Sequence, residues 1–188
     1  MFAHLAARTC YSMRHGALRP GELAQAVAER GMRAVGVADR DGLYGAVRVA
    51  QACQAAGVRP IYGADLALRP DDARPGWAAR VQRGRFAGPG SGPAWLDDGP
   101  SRVTLIARTT PGYANLARTV SDAHLESVRG TPRLTWAQME RRPDAQFVLL
   151  GDDSPVGRLL DAGRPDAAAA SGRAAGWTCT GRAPCSSA

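Results

Sequence analysis

The feature that most constrains this chain is a regular alternation between short apolar runs and segments with helical periodicity. Compact apolar runs occupy residues 33–38, 58–68, 103–107 and 147–150, and helical patterns lie between them. Strands that alternate with helices favour an α/β fold with a parallel sheet and helical crossovers. Periodicity alone leaves open whether that sheet is an open, doubly wound sheet or a closed barrel.

The start and stop signals of the helices give a set of predicted elements around one compositional break. Residues 69–101 are rich in Pro, Gly, Asp and Arg, which predicts a flexible insertion. Residues 1–170 are expected to form one domain. The apolar helical pattern ends after Ala170, and a disordered or out-of-frame tail is expected at 171–188. The predicted elements are a strand at Phe2–Leu5, a helix from Pro20 to Gly31, a strand at Arg33–Ala38, a helix from Tyr44 to Ala56, a strand at Val58–Leu68 broken at Gly63, a strand at Val103–Ala107, a helix from Thr110 and Pro111 to Leu125, a strand at Phe147–Leu150 and a helix from Ser154 and Pro155 onwards.

The basic composition gives little support to a dedicated nucleic-acid surface. The net charge is +7, but all 24 basic residues are Arg, as GC-rich coding would produce. Acidic residues interleave with the arginines, whereas a phosphate-tracking surface would cluster them. A nucleic-acid-binding module that uses the arginines of residues 69–102 is therefore the third choice among the functional readings.

Other simple classes are also disfavoured by the sequence. No run approaches the ~20 apolar residues of a membrane-spanning helix, and the N-terminal residues lack the pattern of a secretory signal. We therefore expect a cytoplasmic protein without membrane contacts. The four cysteines form no CxxC pair, which indicates reduced thiols.

Carboxylates and imidazoles follow the predicted strands, where α/β proteins bind their ligands. His4 follows the first strand, Asp39 and Asp41 the second and Asp65 the third, while His124 closes the helix that follows the fourth. Such groups at one rim would suit a divalent metal cluster that activates water against a phosphate ester. The alternative is that Asp39 and Asp41 shape an Asx turn before Gly42 and cap the next helix. Spacing alone favours this structural alternative.

An ordered set of segments resembles the PHP (polymerase and histidinol phosphatase) domain at the start of bacterial DNA polymerase III alpha subunits, most closely the error-prone, translesion type. The similarity covers about residues 2–170, and no single segment carries it alone. The segments are Phe2–Leu5, Tyr11–Ser12, Gly16–Ala17, Ala38–Arg48, Gly57–Leu66, Gly112–Leu116, Ala123–Leu125, Arg129–Gly130, Leu134–Trp136 and Ser154–Arg158.

The resemblance implies a distorted (β/α)7 barrel with a metal rim, here incomplete at its C-terminal end. In metal-binding members that rim supports phosphoesterase or 3′–5′ exonuclease chemistry. This sequence departs from their pattern, because Arg8 replaces one of the alternating histidines and Arg40 replaces the His of an Asp-His-Asp loop. Arg is a permanent cation and cannot coordinate a metal.

The departures define a main reading and a rival. The main reading is a structural domain fragment of an error-prone polymerase, with no catalysis and no cofactor of its own, whose partners are DNA and polymerase or translesion modules. In the rival reading, a metal-dependent phosphoesterase or exonuclease binds Zn or Mn. The rival would use five residues as its site, namely His4, Asp39, Asp41, Asp65 and His124. The remnant rim of the main reading comprises these five and Arg40.

Overall fold

The computed structural model describes residues 2–69, 101–142 and 146–174. Within these ranges the chain is a mixed α/β fold of four strands and six helices. The strands are β1 (Ala34–Arg40), β2 (Arg59–Ala67), β3 (Arg102–Ala107) and β4 (Gln146–Leu149). The helices are α1 (Pro20–Glu29), α2 (Ala46–Ala55), α3 (Thr110–Leu125), α4 (Trp136–Glu140), α5 (Pro155–Asp161) and α6 (Pro165–Ala174).

The four strands form one sheet in the order β1-β2-β3-β4. Strands β1 and β2 are parallel, but β2 pairs antiparallel with β3, and β3 pairs antiparallel with β4. The expectation of a parallel sheet is therefore wrong for β3 and β4. Ala67 at the end of β2 pairs with Arg102 at the start of β3, so β3 begins at the end of the sheet where β2 ends. An antiparallel pair needs no crossover to the other end of the sheet.

The predicted first strand at Phe2–Leu5 is also wrong. This segment approaches β1 closely, since the main-chain oxygen of His4 accepts a hydrogen bond from Gly36 at 2.7 Å. An isolated parallel bridge to β1 follows two residues later, from Ala7 to Val37. A Cβ atom at Gly36 would lie 2.4 Å from the main-chain oxygen of Leu5, so only glycine allows this approach.

Strand β2 runs without the predicted break at Gly63. A Cβ atom there would lie 2.8 Å from the main-chain oxygen of Leu105 on β3, so this glycine permits close packing within the sheet. Strand β1 is longer than predicted and includes Asp39 and Arg40. Their side chains therefore project from the sheet itself, while Asp41 adopts a left-handed conformation with φ of 57° just after it.

The predicted helices α1, α2, α3 and α5 begin within two residues of their start signals, whereas α4 was not predicted. Helix α3 begins at Thr110 as predicted, and its cap is the preceding Thr109, whose side chain accepts a hydrogen bond from the Gly112 amide at 3.1 Å. Ser154 caps α5 as predicted, accepting from the Gly157 amide at 3.0 Å. No helix in the described part of the chain is long and apolar enough to cross a membrane.

Two apolar clusters hold the helices on the sheet. The first joins β2 and β3 to α3 and includes Leu66, Leu105 and Leu116, all nearly inaccessible to solvent. The second joins β1 to α1 and α2 through Val35 and Val49. These clusters fix the sheet so that the C-terminal ends of β1 and β2 lie beside the start of β3. We call this edge of the sheet the strand-end rim.

Two predicted segments fall largely outside the described residues. The insertion at 69–101 is described only at Arg69 and Ser101, and helix α6 extends to Ala174, four residues into the predicted tail. The rest of the tail, 175–188, lies outside the described ranges.

Candidate functional site at the strand-end rim

Asp39 lies at the rim with only 4% of its surface exposed. Its Oδ1 accepts hydrogen bonds from the Thr9 amide and the Ser12 hydroxyl, and its Oδ2 accepts one from the Thr9 hydroxyl, each at 2.7 Å. Buried carboxylates need such donors, because an unpaired charge is costly away from water. The function of Asp39 in this geometry is to fasten the segment around Thr9 and Ser12 to the end of β1.

Asp65 on β2 is the centre of the charged network and is 2% exposed. Its Oδ1 accepts from Arg102 Nε at 3.0 Å, and its Oδ2 accepts from Arg8 Nη2, also at 3.0 Å. Arg40 Nε lies 3.5 Å from the same Oδ2. Three guanidinium groups therefore surround one buried carboxylate.

Arg102 is the most buried of these three arginines, with 5% of its surface exposed. Its Nη2 donates to Asp41 Oδ1 and to the main-chain oxygen of Asp65, both at 2.7 Å. Burial alone would lower the pKa of its guanidinium, but the charges of Asp65 and Asp41 outweigh burial and raise it. Arg102 is thus a buried cation that joins two carboxylates of the rim.

The loop after β1 is held by two further contacts. The Asp41 amide donates to the main-chain oxygen of Asp65 at 2.8 Å. His124 Nε2 lies 2.6 Å from the main-chain oxygen of Asp41, which fixes Nε2 as the donor in this contact. The imidazole of His124 therefore orients the loop and donates to a carbonyl rather than to a carboxylate.

His4 stands apart from the other predicted rim residues. Its side chain is exposed, and its ring packs edge-on against Phe2 with the ring centroids 4.8 Å apart. The structure thus brings together five of the six predicted residues, the exception being His4.

The rim also contains residues that the sequence did not single out. Arg102 was missed because the search covered positions after strands, and Arg102 begins a strand that runs in the opposite direction. Asp153 lies 4.0 Å from Arg8, and its main-chain oxygen accepts from the Arg102 amide at 3.0 Å. Burial, followed by the charge of Asp65, raises the pKa of the Asp153 carboxyl. No motif in the sequence pointed to Asp153.

The donor set at the rim does not fit a divalent metal. Metal coordination requires available lone pairs on deprotonated ligands. Both carboxylate oxygens of Asp39 and of Asp65 already accept hydrogen bonds from hydroxyl, amide or guanidinium groups. Among the described residues, no group of three or more His, Cys, Asp or Glu side chains is arranged to hold a metal ion. The cationic arginines would also repel an incoming metal.

Together, these contacts describe a mixed α/β sheet whose strand ends form a rim of carboxylates contacted by arginines. In the comparison with known proteins, the family model described as "PHP domain" matches residues 4–174. The chain belongs to the PHP domain family.

Three relatives show which proteins the chain is similar to in sequence. The chain is 30% identical over 171 residues to the DNA polymerase III subunit alpha of Caulobacter vibrioides, covering 90% of this chain and 13% of that protein. It is 32% identical over 170 residues to the error-prone DNA polymerase of Mycobacterium bovis, with 89% and 14% covered. The error-prone DNA polymerase of Nocardia farcinica is 33% identical over 141 residues, with 66% and 12% covered. The chain therefore spans about an eighth of the length of these relatives and is homologous to their N-terminal PHP regions.

Proposed function

We propose that this chain is a structural, metal-free PHP domain that contributes architecture to an error-prone polymerase of the DNA polymerase III alpha type. The observation that carries the proposal is the arrangement around Asp65, where guanidinium groups contact a carboxylate that would otherwise be free to bind a metal. Synthesis past DNA damage would be the work of the whole polymerase, with DNA and translesion modules as partners and the cytoplasm as the location. The error-prone relatives support this context.

The proposed architecture is a distorted (β/α)7 barrel of which this chain supplies part. Support comes from the four-stranded sheet and from the bridge between Ala7 and Val37, which places a further extended segment beside β1.

The rival function is a metal-dependent phosphoesterase or 3′–5′ exonuclease that uses Zn or Mn. One observation favours it, namely that Asp39, Asp41, Asp65 and His124 do converge at a single rim. For the rival to hold, Arg8 and Arg40 would have to move away from Asp65 and leave its Oδ2 to a metal. The two functions therefore differ in a directly measurable quantity, the metal content of the folded chain.

The test is elemental analysis of the purified full chain after separate dialysis against Zn and Mn, with circular dichroism to establish folding. We expect less than about a tenth of a metal ion per folded chain, because a working site needs at least one bound ion. A double variant, Arg8→His with Arg40→His, is the matched control and should raise the metal content by supplying imidazole ligands. One or more metal ions on the folded wild-type chain would contradict the proposal.

A further inference from the structure

A large apolar groove lies at the end of the sheet opposite the strand-end rim. Its volume is about 1010 Å³. It is lined by the start of β2, the end of β3 and most of β4, together with residues of α2 and of the start of α3. None of the charged residues of the rim lines it. The apolar groove and the rim are therefore separate surfaces of the domain.

The apolar groove contains large apolar side chains that are open to solvent. Val47 on α2 is 69% exposed, and Phe147 on β4 and Leu5 are each 44% exposed. Phe147 and Leu149 alternate along β4 with Val148, which packs against the first apolar cluster, so both face away from that cluster. Contiguous exposed apolar surface marks an interaction site, whereas apolar residues exposed singly are ordinary.

The charged residues that line the apolar groove are both arginines. Arg59 begins β2, Arg108 follows β3, and both are exposed. The guanidinium of Arg108 lies over the Phe147 ring, with Cζ 4.8 Å from the ring centroid. Within the described part of the chain neither arginine forms an ion pair, and no Asp or Glu lines the groove. The groove thus combines apolar surface with positive charge that its own lining does not neutralise.

We propose that the apolar groove binds a peptide segment of a partner protein in which acidic residues stand beside large apolar ones. The apolar side chains of the peptide would pack on Val47 and Phe147. Its carboxylates would pair with Arg59 and Arg108, because complementary charge across an interface directs the choice of partner. Since the groove shares no residue with the rim, this inference does not depend on whether the rim binds a metal.

The charge of the groove favours an acidic peptide over a second copy of the chain or a nucleic acid. A second copy has the same net charge of +7 and would bring like charges together. A single-stranded nucleic acid binds along a positively charged track that follows its phosphates. The groove supplies only two cations in a largely apolar lining, which does not form such a track.

The test is a display selection of random short peptides on the immobilised full chain. Selected peptides are synthesised, and their affinities are measured by fluorescence anisotropy. We expect enrichment of peptides that combine Asp or Glu with aromatic residues or Leu, which suit a groove of this composition. Absence of any enriched peptide, or enrichment of peptides without acidic residues, would contradict the proposal.

A first matched pair of variants locates the binding through the apolar surface. Val47→Asp places a carboxylate in the groove near the start of α2, where an acidic residue is compatible with the helix. It should weaken binding of the selected peptides roughly tenfold or more, because like charges would then meet. Val128→Asp is the control, since Val128 is 78% exposed outside the groove, and should bind as the wild-type chain does.

A second matched pair tests the charges. Arg108→Gln should weaken binding about two- to fivefold, as the loss of one exposed ion pair does. Arg48→Gln is the control, because Arg48 is exposed on α2 and does not line the groove. Circular dichroism establishes that each variant is folded. Equal affinities within either matched pair would overturn the proposal.

Two further measurements identify the other occupants. Sedimentation of the chain without peptide should show a monomer, and a dimer that Val47→Asp dissociates would assign the groove to a second copy. Saturable binding of oligodeoxythymidine that Arg108→Gln weakens would assign it to a nucleic acid. Either result would overturn the proposal. Metal on the folded wild-type chain would instead contradict the structural function, so the two failures are distinguishable.

Discussion

The apolar clusters and the charged rim are both buried, but they stabilise the fold in different ways. Leu116 in the first cluster is surrounded by other apolar side chains, and its contribution is spread over many weak contacts. Asp65 at the rim depends on a few specific partners, because three guanidinium groups share one carboxylate. The comparison shows that residues with equal burial differ in what their removal leaves behind. A lost leucine leaves a cavity, whereas a lost carboxylate leaves uncompensated cations.

The strongest test of this comparison is Asp65→Asn, which keeps the shape of the side chain and removes its charge. We expect a loss of about 3–5 kcal/mol in the free energy of unfolding, the usual cost of breaking a buried pair from one side. Urea unfolding followed by circular dichroism measures this loss. Asp122→Asn is the matched control, because Asp122 pairs with Arg142 in a more exposed setting, where pairs contribute under about 1 kcal/mol. Similar losses in the two variants would contradict a special role for Asp65.

A somewhat smaller loss is expected from Leu116→Ala, which tests the apolar side of the comparison. Removing a fully buried leucine typically costs about 2–5 kcal/mol, depending on how far the cavity collapses. The same urea experiment applies, with Leu125→Ala as the control, since Leu125 is 83% exposed on the same helix. The control should change stability by less than about 0.5 kcal/mol. A tolerant Leu116 position would mean that α3 packs less tightly on the sheet than described.

The smallest expected effect concerns the pH dependence of stability at the rim. The pKa of His15 is lowered in the folded chain, first by burial and then by Arg40, from an ordinary value of 6.5. The unfolded chain therefore binds the proton more readily, so stability should decrease as the pH falls below about 6.5. His15→Gln should flatten this part of a plot of melting temperature against pH. If the slope of melting temperature against pH is unchanged in the variant, the pKa of His15 is not lowered by burial and the neighbouring cations.

The sequence predicted the helices better than the strands, for physical reasons that particular residues illustrate. Local capping chemistry marks helix starts, so Ser154 and Pro155 located α5 correctly. The direction of β3 depends on pairing with β2, which is far along the chain and leaves no local signal. Gly63 was read as a break because its role, close approach to β3, is visible only once the partner strand is in place.

The same limits applied to the rim. Asp39, Asp41 and Asp65 were found because they lie at or near the ends of strands in a recognisable pattern. Arg102 could not be found in that way, since its place at the rim follows from the antiparallel course of β3. The replacement of ligands by Arg8 and Arg40 was visible in the sequence, but their shared contact with Asp65 required the tertiary structure.

The charged cluster has a kinetic consequence, because its members are far apart along the chain. Arg8, Asp65 and Arg102 must all be brought together before their ion pairs form, and contacts 37 and 57 residues apart carry a cost in chain entropy. Such long-range polar contacts are expected to form late, after the transition state for folding. Interactions absent from the transition state slow unfolding and leave the folding rate nearly unchanged. The ion pairs of the rim would then slow unfolding and so prolong the lifetime of the folded domain.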